Sequence, residues 1–127
     1  MTIRYAYNRQ VTPPAPFVHV AVSPPIEGSS TLIVPAQIDT GADLSVIPGR
    51  LVDELHLVPL DLVSAQSFGG QLLTLPTYLV ELRIRDLEPV SVKVFARPEE
   101  YYALLGRDVL NRLTILLDGP NLVVEIR

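Results

Sequence analysis

Proline and glycine interrupt this chain at short intervals along most of its length. Twelve prolines and seven glycines are spread over 127 residues. Proline breaks a helix interior and glycine weakens one, so the pattern predicts no helix longer than about ten residues. Short segments bounded by such residues favour an all-β fold.

The composition predicts one compact domain. Hydrophobic residues make up 48% of the chain, which at this length is enough to bury a core, and no repeat or low-complexity tract divides the sequence. We therefore treat 1–127 as a single domain. Within it, 1–16 form an N-terminal extension that consists of a strand and a proline-rich connector.

Charge and cysteine content argue against several kinds of partner. The net charge of −4, without a cluster of Lys or Arg, disfavours nucleic acid, which needs a basic face. Apolar runs end before the roughly twenty residues that a membrane span requires, and the N-terminus lacks a signal-peptide core. We therefore expect no membrane partner and a cytoplasmic location. The absence of cysteine excludes disulfides and thiolate metal sites, and we expect neither a metal nor a cofactor.

Alternating apolar residues predict strands along most of the chain. The predicted strands cover 1–7, 17–22, 31–38, 45–47, 57–66, 72–85 and 90–96, each bounded by turn residues. One short helix is predicted over 49–55, with Pro48 at its first position, and a second after Gly106. A hairpin through 118–121 is predicted near the end of the chain.

The tetrapeptide Asp39-Thr40-Gly41-Ala42 directly follows the apolar strand 31–38. Glycine at its third position permits a tight loop, and the threonine supplies a hydroxyl that can hydrogen-bond across to another loop. The arrangement resembles the one by which aspartic proteases present their catalytic carboxylate. Asp39 is therefore the candidate catalytic residue.

A second block, 103–113, makes the resemblance specific. It has two apolar residues, Leu104 and Leu105, then Gly106 and Arg107, then an amphipathic turn of helix. Together the two blocks resemble the retroviral-type aspartic proteases, or retropepsins, over about 17–126. The helix after the first block is more similar to bacterial and cellular single-domain members than to viral ones. The resemblance implies a closed acid-protease-like β-barrel with one or two short helices that functions as a homodimer.

The catalytic chemistry implied by the resemblance needs two carboxylates. One is ionised and takes a proton from water, while the other is protonated and polarises the scissile carbonyl. The chain contains no second Asp-Thr-Gly or Asp-Ser-Gly. We therefore predict a C2 homodimer in which Asp39 from each copy meets at the axis, acting as an aspartic endopeptidase, a hydrolase of peptide or protein substrates.

The resemblance also implies roles for the residues that support the active loop, 39–44. Thr40 would interlock with the loop of the partner, Gly41 would let the substrate backbone approach, and Ala42 would leave the binding wall clear. Asp43 and Arg107 occupy the positions of an ion pair between the active loop and the second block, partly buried near the dimer interface.

Two further features follow from the same comparison. Ser45 and Asp108 are expected to extend the ion-pair network. The segment 67–71 is predicted to be a flap that closes over the substrate and expels water. Gly69 and Gly70 would make its tip mobile, and Phe68 would pack on a substrate side chain.

Other functions fit part of this pattern. A retropepsin-like fold can serve as a catalytically inactive dimerisation or peptide-binding module, since fold alone does not imply activity. The intact Asp-Thr-Gly argues against that alternative, because a non-catalytic module has no need of an acidic residue beside its like-charged twin. A ligand-binding β-barrel monomer is a third possibility, which molecular mass in solution would distinguish. Locally, 39–42 and Gly69-Gly70 could each be an ordinary turn.

Overall fold

A computed structural model of the chain describes residues 2–66 and 69–127. Within these residues it has ten strands and two short helices, which confirms the predicted all-β class with short helices. In chain order the elements are β1 (Ile3–Ala6), β2 (Phe17–Ser23), β3 (Leu32–Ile38), β4 (Val46–Pro48), α1 (Arg50–Glu54), β5 (Pro59–Gln66), β6 (Leu72–Arg83), β7 (Val90–Arg97), β8 (Ala103–Leu105), α2 (Arg107–Leu110), β9 (Ile115–Asp118) and β10 (Val123–Ile126).

The strands form two sheets. Seven strands pair in the order β2-β3-β8-β4-β7-β6-β5, and an additional antiparallel pairing joins β2 to β6. The other three form a small sheet in the order β1-β10-β9, so the two ends of the chain are neighbours. β3 and β8 run parallel, with Ile38 opposite Leu105. This parallel pairing places the residues that follow the two strands, Asp39 and Gly106, side by side.

The core explains why the alternating segments become strands. Val18, Val20 and Val22 along β2 are fully buried, whereas His19 between them is exposed. Each buried valine side chain stabilises the fold by roughly 1.5–3 kcal/mol relative to an exposed one. Buried residues of β3, β6 and β7, together with residues of other strands and of both helices, join them in one apolar cluster.

The first helix begins later than the sequence predicts. Pro48 is the last residue of β4, paired with Arg97 of β7, and α1 starts at Arg50. The Gly49 N–H donates to the Arg97 carbonyl at 2.7 Å, and a Cβ on Gly49 would lie 2.8 Å from Pro98 Cα. The pairing with β7 therefore keeps Pro48 in the extended strand, and the helix starts at Arg50 instead of at 49.

Polar contacts attach β5 to its neighbours, and they carry a pH-dependent prediction. The fully buried Thr77 donates its hydroxyl to the Asp61 carboxylate, and Lys93 Nζ lies 3.2 Å from Asp61 Oδ2. The Thr77 hydrogen bond, and next the Lys93 contact, hold the pKa of Asp61 below its usual value. A lowered carboxyl pKa stabilises the fold above the unfolded-state pKa, and this stability is lost as the pH falls through the folded-state value.

Asp61→Asn is therefore expected to flatten the decline in stability as the pH falls below about 4. The measurement is the urea midpoint of unfolding at a series of pH values for the native chain, Asp61→Asn and Asp53→Asn. Asp53 is exposed on α1 and serves as the matched control. Identical pH profiles for all three proteins would contradict a role for Asp61.

Within the described part of the chain, no helix is both long enough and apolar enough to cross a membrane.

Candidate active site

Asp39 occupies the first position after β3, where the chain turns sharply. Its N–H donates to the Leu105 carbonyl of β8 at 3.0 Å, and its own carbonyl accepts the Ala42 N–H at 3.2 Å. The Gly41 N–H donates to Asp39 Oδ1 at 3.0 Å. The backbone of the loop thus orients the half-buried carboxylate, as a charge-assisted hydrogen bond from an N–H does.

Arg107, in the second block, holds the active loop through three polar contacts. Its N–H donates to the Ala42 carbonyl at 2.9 Å, and its Nη1 donates to the Thr40 carbonyl at 2.6 Å. Its Nη2 forms an ion pair with Asp43. The structure therefore brings together the two residues that the sequence suggested as a pair.

The ion pair is open to solvent in the single chain. The Asp43 side chain is 84% exposed and that of Arg107 is 45% exposed. An exposed pair of this kind contributes little free energy. The hydrogen bonds from Arg107 to the backbone at Thr40 and Ala42 therefore do more to hold the loop than the charge pair does.

A buried hydrogen-bond network lies beneath the loop. The fully buried Ser45 donates its hydroxyl to Asp108 Oδ1 at 2.8 Å, and its N–H donates to Asp108 Oδ2 at 3.0 Å. The Ser45 hydroxyl in turn accepts the Gly106 N–H at 3.0 Å, while Asp108 Oδ1 also accepts the Val109 N–H at 2.9 Å. These bonds connect the end of the active loop to the start of α2.

Gly106 is required by close backbone contact, which leads to a prediction. A Cβ at this position would lie 2.8 Å from both the Ala42 carbonyl oxygen and the Leu44 carbonyl carbon. Gly106→Ala is expected to displace the active loop and to destabilise the fold by about 1–3 kcal/mol. The matched control is Gly119→Ala, where nothing lies within 4 Å of the added Cβ. Urea unfolding of both variants tests this, and equal losses would contradict it.

The active loop separates two concave surfaces. On one side, Gly41–Leu44 face Val63–Gln66 of β5 and Phe95 across an open cleft of about 410 Å³. On the other side, Ile38 and Thr40 border an apolar groove of about 330 Å³. A larger depression of about 490 Å³ surrounds the turn after β2, and its lining contains no residue of either sequence block.

Part of the predicted flap can be located. The structure places Gly69 and Gly70 as exposed residues between β5 and β6, and Gly70 has φ +80°, a conformation that favours glycine. Ser67 and Phe68 lie outside the described residues.

Sequence reasoning missed Phe95 as a cleft residue. Along β7, Val92 and Val94 face the core, while Phe95 falls on the other face with Ser91 and Lys93. An aromatic residue on the polar face of an alternating strand is the signal that could have identified it. Among residues 2–66 and 69–127, no group of three or more His, Asp or Glu is placed to hold a metal ion.

Comparisons with known proteins agree with this geometry. A family model described as aspartyl protease matches residues 25–109, a span that contains Asp39 and extends through the start of α2. No curated protein sequence matches significantly. The fold is similar to a retropepsin-like aspartic protease from Rickettsia conorii, with TM-score 0.65, 14% identity, and coverage of 99% of this chain and 90% of that chain.

Two viral structures share the fold over a shorter span. A foamy viral protease-reverse transcriptase in complex with RNA/DNA hybrid has TM-score 0.57 and 14% identity, and the match covers 77% of this chain and 12% of the viral chain. A second such structure, in complex with double-stranded DNA, has TM-score 0.55 and 16% identity over 78% and 16% of the two chains. Since the family model covers more than half of the chain, this chain belongs to the aspartyl protease family, and its fold is similar to that of a retropepsin-like protease.

Proposed function

We propose that this chain is an aspartic endopeptidase that works as a C2 homodimer. The observation that carries the proposal is the Asp39 loop, whose carboxylate is oriented by the Gly41 N–H beside an open cleft. The chain has no second Asp-Thr-Gly. Asp39 of the partner subunit therefore supplies the second carboxylate of the dyad.

In this mechanism the two Asp39 carboxyl groups share one proton, because two like charges a few ångström apart do not both ionise. The ionised group takes a proton from the attacking water as the oxygen adds to the peptide carbonyl. The protonated group donates to the carbonyl oxygen. Collapse of the tetrahedral intermediate transfers a proton to the leaving amine and breaks the C–N bond.

The surrounding residues hold the dyad and the substrate. The Thr40 hydroxyl hydrogen-bonds to the active loop of the partner subunit, and Gly41 allows the peptide backbone to approach. The small Ala42 side chain leaves the wall of the cleft clear for the substrate. Arg107, with Asp43, keeps each loop in the conformation that the dyad needs, because it donates to two loop carbonyls. The seven-stranded sheet that carries the active loop is a closed barrel, and the pairing of β2 with β6 supports this part of the proposal.

The substrate is an extended peptide in the cleft between the active loop and β5. β5 is the last strand of its sheet, so its outer edge presents backbone groups to which an extended chain can bind. Phe95 contributes an apolar wall. The flap 67–71 closes over the peptide and excludes water from the dyad.

Cleavage of a diverse peptide mixture, followed by mass spectrometry between about pH 4 and 7, tests the proposal. The native chain is compared with Asp39→Asn and with the control Asp53→Asn at equal, high protein concentration. Cuts that the native chain and the control share, and that Asp39→Asn lacks, are expected. No cuts from any protein, with a dimer confirmed in the same sample, would instead support the non-catalytic peptide-binding module.

A further inference from the structure

The outer part of the β5–β6 hairpin is a two-stranded arm. In the described part of the chain, residues 62–66 of β5 and 72–76 of β6 pair only with each other. β7 pairs with β6 closer to the body of the sheet, at Tyr78–Leu82. A two-stranded hairpin is marginally stable by itself in water, so contacts at its base decide how the arm sits on the sheet.

A β-bulge interrupts the backbone pairing at the base of the arm. Pro59 lies opposite Tyr78, and Leu62 lies opposite Pro76. β5 therefore advances from 59 to 62 while β6 goes only from 78 to 76, which leaves one extra residue in β5. A bulge of this kind disrupts the ladder and bends its strand. The backbone pairing is thus interrupted where the arm joins the sheet, next to Asp61.

The Asp61 carboxylate connects three strands at this bulge. The hydroxyl of Thr77, on β6, donates to the carboxylate and also lies 3.2 Å from the Asp61 carbonyl oxygen. Lys93 Nζ, on β7, lies 3.2 Å from Asp61 Oδ2. Because β6 separates β7 from β5 in the sheet, the Lys93 side chain reaches over β6. Side chains therefore hold β5 at the place where the ladder does not.

The two contacts of the carboxylate differ in burial. Thr77 is fully buried, so loss of its acceptor leaves a buried hydroxyl without that bond, which is costly. The side chains of Lys93 and Asp61 are 43% and 48% exposed, and such a pair adds little to the free energy of global unfolding. An arm that pairs only with itself, however, needs only a small bias to stay in one position.

The arm forms one wall of the cleft beside the active loop. Val63–Gln66 face Gly41–Leu44 across this cleft. Phe95 lines the same cleft and lies on the same face of β7 as Lys93. A change in the angle of the arm would therefore change the width of the cleft.

We infer that Asp61 is a positioning residue that acts through Thr77 and Lys93 to hold the arm at the angle that sets the width of the substrate cleft. The inference rests on the proposed function, because it adds to that site a residue that touches neither the substrate nor the dyad. Without the carboxylate the arm moves relative to the active loop. A peptide then binds more weakly, because part of its binding free energy is used to order the arm.

Amide hydrogen exchange tests the inference without any substrate. Asp61→Ala is expected to speed exchange of the paired amides in 62–66 and 72–76 by about tenfold, because the arm opens locally. Amides of β2 and β3 are expected to change by less than about twofold. Equal acceleration of the arm and of β2, or an unchanged arm, would overturn the inference.

Glu54→Ala is the matched control for this experiment. Glu54 forms an ion pair with Arg50 on α1 at 3.4 Å, and the two side chains are 48% and 49% exposed. The control therefore removes an acid from an equally exposed ion pair that lies outside the hairpin. Its arm is expected to exchange as in the native chain.

A second variant covers the case in which Asp61→Ala fails to fold. Lys93→Met keeps a long side chain at a half-exposed position and removes only the ion pair. It is expected to speed exchange of the arm by about threefold at low salt. In about 0.5 M NaCl, which screens exposed charges, the native arm is expected to approach the variant. An arm that exchanges alike in the native chain, in Lys93→Met and at high salt would overturn the inference.

Cleavage kinetics connect the arm to the site. Asp61→Ala is expected to raise KM by about fivefold while kcat changes by less than about twofold, since the arm supplies binding that substrate and transition state share. Glu54→Ala is expected to match the native chain in both constants. An Asp61→Ala protein with the native KM would overturn the inference.

The outcomes separate this inference from the proposed function. A faster-exchanging arm in Asp61→Ala, in a chain that never cuts peptides, would support Asp61 as the residue that positions the arm and overturn the protease. A native chain that cuts peptides, together with an unchanged arm in Asp61→Ala, would overturn the inference and leave the protease.

Discussion

Asp39→Asn is expected to lower the rate of peptide cleavage by at least about 10³-fold, the scale of a lost general acid–base contribution. Asn has the size of Asp and retains an oxygen to accept the Gly41 N–H, which lies 3.0 Å from Oδ1 in the native loop. It can neither take a proton from water nor share one with its twin. The effect is therefore expected in kcat, with the fold and the dimer unchanged.

Mixing the two proteins distinguishes a shared dyad from a site within one chain. When native and Asp39→Asn chains exchange subunits in equal amounts, about one quarter of the dimers carry two native residues. Activity is then expected to fall to about one quarter of that of the same total amount of native chain, whereas independent sites would retain about one half. Retention of one half after full exchange would contradict the shared dyad.

Asp108→Ala is expected to destabilise the fold by about 3 kcal/mol. Asp108 accepts hydrogen bonds from the Ser45 hydroxyl and N–H and from the Val109 N–H. Ser45 is fully buried, so water cannot replace the lost acceptor without a rearrangement of the loop. The measurement is the free energy of unfolding from urea titration, together with cleavage activity, which is expected to fall because the active loop ends at this network.

Two control variants separate the buried bonds from a general effect of removing charge. Asp108→Asn keeps one oxygen acceptor and is expected to cost about 1 kcal/mol. Asp53→Ala, on the exposed face of α1, is expected to change stability by no more than about 0.5 kcal/mol. A loss for Asp108→Ala as small as that for Asp53→Ala would show that the network does not hold the loop.

The strands were largely predictable because their pattern is local. In β2 the alternation of buried valines with more exposed residues fits a half-buried strand and no helix, and β3 and β7 follow the same rule. Pro48 was wrongly assigned to a helix, because its pairing with Arg97 involves a residue about fifty positions away. A contact between residues this far apart cannot be predicted from the local sequence pattern.

The candidate site was predictable as a set of residues and much less so as an arrangement. Asp39 and Gly41 stand out because their residue types suit a tight loop, whereas Arg107 was suggested only by the resemblance of its block to retropepsins. That a Cβ on Gly106 would collide with the Ala42 carbonyl follows from the parallel pairing of β3 with β8. That Phe95 lines the cleft follows from which face of β7 its side chain occupies.

The sequence by itself determined the fold class, through proline spacing and alternation, and the presence of a single Asp-Thr-Gly loop. Only the tertiary structure decided how Ser45, Asp108 and Arg107 hold that loop. The physical reason is the distance along the chain over which each kind of interaction acts. Strand propensity acts between neighbours in the chain, whereas the contacts of the loop and of Pro48 depend on segments brought together from about fifty or more residues apart.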